Sequence, residues 1–341
     1  MIDYERLNEA YERRGFYALQ LEVGDVCRQK CSYCYMNALE EPKNTLSDEQ
    51  ITAILHDAKR LGIVAIEWLG GEPLLRDSIF EHLRLAKRLG LRNNIWTGGL
   101  PLADEAVMEQ TIALADPGLI SVHVSTVNPE LYERLHPGAS RNDLFTILSC
   151  VSEILAKGYP ASQMLNSVTF TGLQPAEDLI ETIDYFEHEF GIKTSLNVYH
   201  TYLRPGTLPG KLQEFIPSPE AVAKVYARYT EQWGGRELPM NCVNKQYCSA
   251  NLAVLCDGSV TPCATIREKD APTIHRQSLY EIAMSRRDHL IFAPFRERSN
   301  LPADCQTCRL THICFGCRSR SYAAGQGIYG KDPRCYRHRQ A

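Results

Sequence analysis

Apolar segments of two periods alternate along residues 18–199, and this alternation limits the possible folds more than any other feature. Ala18–Val23, Val64–Trp68, Asn94–Thr97, Leu119–Ser125, Leu165–Phe170 and Thr194–Tyr199 read as strands. Helices are expected between them at Ser47–Leu61, Ser78–Leu89, Asp104–Ala115, Asn142–Lys157 and Pro175–Phe190. The first of these begins with a Ser47/Gln50 capping box and carries an apolar face of Ile51, Ile54, Leu55, Ala58 and Leu61. Strands alternating with helices imply an α/β fold with a parallel sheet and right-handed crossovers, either open and doubly wound or part of a (β/α) barrel. No Gly-x-Gly-x-x-Gly follows the first strand, so the dinucleotide-binding version loses ground. In both architectures chemistry collects at the carboxyl ends of strands. Two motifs fall there: Cys27-x3-Cys31-x2-Cys34 after the first strand and Gly70-Gly71-Glu72-Pro73 after the second.

Composition narrows the function classes. The 37 Lys+Arg against 41 Asp+Glu give a net charge of −4, which argues against a general basic surface for nucleic acid. No apolar run approaches the roughly 20 residues of a membrane helix, and the charged start lacks an export signal. Thirteen cysteines in a signal-less chain of 341 residues point to metal ligation or redox chemistry rather than disulfides.

Three thiolates on one short loop are one too few for a closed structural zinc site. A cubane [4Fe–4S] cluster held by Cys27, Cys31 and Cys34 would keep one iron free for a small chelating molecule. Cluster potentials reach about −700 mV, which makes electron transfer to that molecule feasible. A zinc knuckle completed by a distant His or Cys is the competing reading.

Cys-x3-Cys-x-Φ-Cys with Tyr33 at Φ, followed by Gly-Gly-Glu-Pro after strand two, resembles the signature of the radical S-adenosylmethionine (radical SAM) enzymes. The resemblance covers about residues 16–200 and implies a partial (β/α)6 TIM-type barrel. It also implies S-adenosylmethionine chelated to the free iron and cleaved reductively to methionine and a 5′-deoxyadenosyl radical, which abstracts a substrate hydrogen. Successive glycines at Gly70 and Gly71 let a backbone approach the methionyl group, and Glu72 or neighbouring carbonyls can accept from its amine. By family analogy Tyr33 and Pro73 belong to the cofactor site and Ser125 holds the ribose hydroxyls. Asn166 and Tyr199 are further cofactor candidates, with ordinary strand-end polarity as the alternative. His123 shares a strand face with Ser125 and could reach the pocket or be a satisfied core histidine.

Nine more cysteines follow residue 240. Asp257-Gly258 reads as the turn of a hairpin, and Cys305-x2-Cys308-x5-Cys314-x2-Cys317 precedes Cys335. Paired Cys-x2-Cys also suits zinc. This region resembles the SPASM extension of radical SAM enzymes, which carries two auxiliary [4Fe–4S] clusters. Carried over residue by residue, the first would use Cys242, Cys248, Cys263 and Cys317, and the second Cys305, Cys308, Cys314 and Cys335. The gap between Cys314 and Cys317 is one residue shorter than the family's pattern. Cys150 and Cys256 are left as core thiols, with Cys256 as an alternative ligand. The expected organisation is therefore an extension 1–17, a barrel 18–205, a connector and helix 206–238 (including Arg204-Pro205-Gly206 just upstream and Pro217 and Pro219), and a SPASM domain 239–341.

The resemblance implies oxidative modification of a ribosomally made peptide or protein side chain, with a reductant such as flavodoxin or ferredoxin. A tetrapyrrole or sugar is the small-molecule alternative, and a zinc-stabilised binding protein the non-enzymatic one. Only about 17 residues precede strand one, so a leader-binding domain is expected on a partner protein. Ala264 stands where relatives that oxidise a sulfatase residue carry an acidic base. Arg318 and Arg320 are read as solvated cluster-loop residues or as partners for substrate carboxylates. Oxygen-labile clusters suggest the cytoplasm, with no membrane or nucleic-acid partner.

Overall fold

The computed structural model describes residues 2–38, 41–43, 45–200 and 213–339. In chain order the main elements are α1 (Tyr4–Glu12), β1 (Ala18–Glu22), α2 (Asp48–Arg60), β2 (Ala65–Leu69), α3 (Ile79–Arg88), β3 (Arg92–Thr97), α4 (Glu105–Ala115) and β4 (Leu119–His123). There follow α5 (Pro129–Leu135), α6 (Arg141–Ala156), β5 (Met164–Phe170), α7 (Ala176–Phe190), β6 (Lys193–Val198), α8 (Pro219–Gln232), α9 (Lys245–Cys248), β7 (Asn251–Val254) and β8 (Val260–Thr261). All six expected strands form, each within two residues of its expected ends. The helices α1 and α5 had no counterpart in the sequence reading. The expected connector's residues 204–212 lie outside the described residues.

The strand order is β6-β5-β4-β3-β2-β1-β7-β8, parallel throughout except for β8. The sheet therefore has eight strands where six were expected. The hairpin around Asp257-Gly258 forms, but its first strand pairs in parallel with β1, from Ala18↔Asn251 to Leu21↔Val254. β7 and β8, which follow residue 239, extend the same sheet as β1 to β6.

Each strand of the barrel has two unlike faces. Leu19, Leu21, Ile66, Trp68, Ile95, Ile120, Val122 and Met164 point outward into one apolar core with the helices. Gln20, Glu67, Trp96, His123, Ser167 and Ser195, one from each of β1 to β6, instead line a single cavity. That shared lining shows that the sheet curves round a polar interior as a partial barrel.

The helices follow their sequence signals. Ser47 and Gln50 make the reciprocal capping box of α2, and Ile51, Ile54, Leu55 and Ala58 are buried. Cys150 is buried on the inner face of α6 with Leu144, Ile147, Val151 and Ile154, as a core thiol. No helix among the described residues is long and apolar enough to cross a membrane.

In the C-terminal region, Leu252, Val254, Leu279, Ile282 and Ile291 join the main apolar core, and Phe292, Phe295 and Phe315 form a separate aromatic cluster with centroids 5.7–6.2 Å apart. Arg318 and Arg320 correct the expectation of solvation or substrate pairing, because both are buried. Arg320 makes a two-pronged ion pair with the buried Asp332, at 2.7 and 2.9 Å. Arg318 donates to the carbonyls of Ile328 and Gly330 and lies over the Phe295 ring. These guanidinium groups tie the C-terminal loops together.

Because β7 covers an edge of β1, a chain ending at residue 238 would expose that edge and the cavity. Such a truncation is expected to be insoluble, or to lack a cooperative thermal transition. Cooperative melting of the soluble fragment, measured by circular dichroism, would contradict this.

Candidate functional site

A cavity of about 290 Å³ opens at the carboxyl ends of the strands. Cys27, Cys31 and Cys34 line it from the loop after β1, together with Tyr33, Gly70 and Gly71. This loop is held in place from several sides. Ser32 N donates to Leu135 O (2.8 Å), Glu72 N to Val26 O (2.7 Å), and Gln29 Nε2 to Gly98 O and Tyr132 Oη (3.2 and 3.1 Å).

The two glycines allow the second motif to press against this loop. A Cβ on Gly71 would sit 2.0 Å from Val26 O, and one on Gly70, whose φ is +141°, would sit 2.6 Å from Gly24 O. The close approach they permit is thus to the cysteine loop itself, while both residues still border the cavity.

Four expected cofactor residues are placed differently. The Glu72 carboxylate turns inward, accepting from Leu74 N (3.1 Å), Thr97 Oγ1 (2.9 Å) and Gly98 N (2.6 Å). It ties the motif to the end of β3 and does not border the cavity. Nor does Pro73, which starts a buried 3-10 turn. Asn166 lies on the outer face of β5, where its amide bridges the backbone of Val124 (3.0 and 2.9 Å). Tyr199 is fully buried against Phe215, with ring centroids 5.5 Å apart.

Ser125 is fully buried beneath Tyr33, and β4 ends before it, so His123 takes the cavity-facing position. Tyr33 Oη lies 2.8 Å from Ser125 Oγ, 2.8 Å from His123 Nε2 and 2.7 Å from His136 Nε2. Burial lowers His123 to about 4, and burial together with His123 lowers His136 to about 3, so both are neutral at pH 7. One hydroxyl thus fixes the motif's aromatic ring between two neutral imidazoles. Cys31 Sγ and a ring nitrogen of each histidine lie within 4.8 Å of one another.

Eight of the nine C-terminal cysteines lie in two neighbourhoods, Cys242, Cys248, Cys263 and Cys317 in one and Cys305, Cys308, Cys314 and Cys335 in the other. The thiols of Cys242, Cys248, Cys263 and Cys317 are close enough for their charges to act on one another. Burial, then this mutual repulsion, raises Cys242 and Cys248, and Cys263 reaches about 11. Cys242 and Cys263 also line the cavity. Cys305, Cys308, Cys314 and Cys335 surround a second, small cavity. Burial is the first cause of the rise of Cys305 and Cys335 to about 12. The short Cys314–Cys317 gap is accommodated by Gly316 at φ +70°, and Cys317 N is held by Asp332 Oδ2 at 2.8 Å. Cys256 stands apart from both groups, buried with its N–H on Glu22. Buried thiols in fours suit a multivalent metal centre, which would take them as thiolates.

Several cavity residues were missed, among them Gln20, Glu67, Trp96, Thr169, Asn197 and His200. Polar residues at every second strand position were the available signal, since a strand buried on both faces normally reads as continuously apolar.

A curved parallel sheet with a thiol-lined cavity at its carboxyl rim is a (β/α)-barrel arrangement whose donor set suits a metal centre. Comparison with known proteins gives the class: residues 21–186 match the model of the Radical SAM superfamily, so this part of the chain is a radical SAM domain. The GTP 3′,8-cyclase of Alkaliphilus oremlandii is 28% identical over 50% of this chain and 52% of its own length. A probable GTP 3′,8-cyclase of Methanothermobacter thermautotrophicus is 26% identical over 84% and 96%. Streptococcus suis SuiB bound to S-adenosylmethionine superposes with a TM-score of 0.65 at 17% identity, covering 97% of this chain and 82% of that one. For anSMEcpe with bound AdoMet the TM-score is 0.70 at 15% identity, covering 95% of both chains. These likenesses establish the fold. Superfamily membership implies a [4Fe–4S] cluster, S-adenosylmethionine and a reductant.

Two outcomes follow from this geometry. Tyr33→Phe removes the hydroxyl shared by Ser125, His123 and His136 and is expected to cost about 1–3 kcal/mol, read as a lower urea midpoint. Burial raises Glu72 from its ordinary 4.5 to about 7. Between those values the folded protein keeps a proton that the unfolded chain releases, so this residue's contribution to stability falls as pH rises, then levels off. Glu72→Gln should therefore gain stability relative to the parent protein between pH 5 and 7. A constant difference across urea titrations would refute it.

Proposed function

We propose that the protein oxidatively modifies a side chain of a ribosomally made peptide or a protein, using three [4Fe–4S] clusters in a SPASM-type arrangement. The observation that carries the reading is that Cys242 and Cys263, half of one thiol quartet, line the same cavity as Cys27, Cys31 and Cys34. When bound, the cluster and S-adenosylmethionine supply a 5′-deoxyadenosyl radical for hydrogen abstraction. The loop cysteines hold the first cluster, Tyr33 and the Gln29 contacts keep that loop rigid, and Gly70 and Gly71 border the cofactor. A cluster held by the quartet that shares this cavity would accept the electron left on the substrate. Four protein ligands per auxiliary cluster favour electron relay over direct substrate ligation. Ala264 directly follows Cys263 in the cavity wall, where sulfatase-oxidising relatives carry an acidic base, which counts against sulfatase maturation. The reading includes a flavodoxin- or ferredoxin-like reductant, a separate leader-binding partner and a cytoplasmic setting.

The names of the sequence relatives favour a small-molecule substrate such as GTP. Against it, Lys30 is the sole Lys or Arg among the described lining residues, and a triphosphate demands several cations. Peptides were bound in two of the similar structures, SuiB with SuiA and anSMEcpe with Cp18Cys. The zinc reading draws on Cys31, His123 and His136, but both histidine Nε2 atoms already engage Tyr33 Oη.

Anaerobically purified protein should be brown, with roughly twelve irons per chain for three cubanes. Cys31→Ala should abolish 5′-deoxyadenosine formation from S-adenosylmethionine while both auxiliary clusters remain visible by Mössbauer spectroscopy. Zinc without iron after reconstitution, or unchanged 5′-deoxyadenosine output, would overturn the reading.

A further inference from the structure

Among the buried carboxylates, Glu67 has an unusual setting. Glu22 is neutralised by Arg267 at 2.7 Å and Asp332 by Arg320 at 2.7 Å. Glu72 is turned away from the cavity by its three donors. Glu67 is 5% exposed, borders the cavity, and forms no ion pair with any described residue. Its charge is held by neutral donors alone. Oε1 accepts from Asn94 Nδ2 (2.8 Å) and Tyr247 Oη (2.7 Å), and Oε2 from Trp96 Nε1 (2.6 Å).

This arrangement orients the carboxylate without cancelling its charge. A carboxylate offers about four lone-pair sites, and three are used here, so Oε2 retains one. The residue lies three positions before Gly70, roughly 10 Å deeper along β2 at about 3.3 Å per residue. Trp96 provides an indole wall next to it, a surface that also attracts cations. A buried anion without a counter-ion is costly, and an entering cation relieves that cost.

We propose that Glu67 is a specificity-determining residue that receives a positively charged group of the substrate, the alkylammonium or guanidinium end of a basic peptide side chain reaching into the cavity. This rests on the proposed peptide substrate and narrows it to lysine- or arginine-type side chains. It also explains how one barrel interior can reject polyanions: the charge at its deep end is negative. The bland alternative is a structural latch, because Tyr247 ties Glu67 to the residue next to Cys248.

The two are separated by binding of Nα-acetyl-lysine methylamide and its neutral isostere Nα-acetyl-norleucine methylamide. Isothermal titration is done on the iron-loaded, S-adenosylmethionine-bound full chain. The ammonium probe is expected to bind at least tenfold more tightly than the neutral one. Glu67→Gln, which keeps the side-chain shape and loses the charge, should abolish that preference at unchanged iron content. Tyr247→Phe, which removes the latch and keeps the charge, should retain it. Should Glu67→Gln fail to fold, the preference of the parent protein and of Tyr247→Phe still decides. Equal binding of the two probes, no binding of either, a preference that survives Glu67→Gln, or its loss in Tyr247→Phe would overturn the proposal. Binding is read without turnover, so a protein that cleaves S-adenosylmethionine but lacks the preference refutes this inference alone. One that shows the preference but forms no 5′-deoxyadenosine from S-adenosylmethionine refutes only the radical reading.

Discussion

The pairing of β1 with β7 is the constraint on which the site depends. β1 carries the first cysteine loop at its carboxyl end, and β7 leads through the Asp257-Gly258 turn to Cys263. Their parallel register from Ala18↔Asn251 to Leu21↔Val254 brings these two regions to one rim. Side chains from the inner face of β1 complete the junction. Gln20 Oε1 accepts from Ala264 N at 2.8 Å, and Glu22 accepts from Cys256 N at 3.2 Å and Arg267 at 2.7 Å. The barrel and the cysteine-rich region therefore form one structure whose cavity has walls from both.

Within that cavity, geometry is set by packing and charge is set by selective neutralisation. Close glycine contacts and the Tyr33 hydroxyl fix the cysteine loop before any cofactor binds, which lowers the ordering cost of binding. Glu22 and Asp332 have guanidinium partners, whereas Glu67 has neutral donors. The cavity thus combines a thiol-rich mouth with an anionic deep end.

Much of this was legible along the chain because it depends on local period and spacing. The six barrel strands, the Ser47 cap, the core position of Cys150 and the division of eight cysteines into two groups needed only sequence neighbours or family spacing. What the chain does not make legible is the direction of side chains decided by distant partners. Glu72 turns inward because Thr97 and Gly98, from β3, supply donors there. Arg318 and Arg320 were read as solvated because their partners, Asp332 and the carbonyls near residue 330, adjoin them only after folding. Asn166 falls on the outer face by strand parity, which an accurate register would have revealed.

The amino-acid order by itself determined the alternation that makes a parallel barrel, the motif spacing that brings three thiols onto one loop, and the polar parity of the inner strand positions. Tertiary structure alone decided that β7 joins the sheet, that Tyr33 covers Ser125, and that Glu67 meets Tyr247 from 180 residues away. Local patterns arise from chain geometry over a few residues. A buried charge or hydroxyl acquires its role from whichever donor the fold brings within about 3 Å of it.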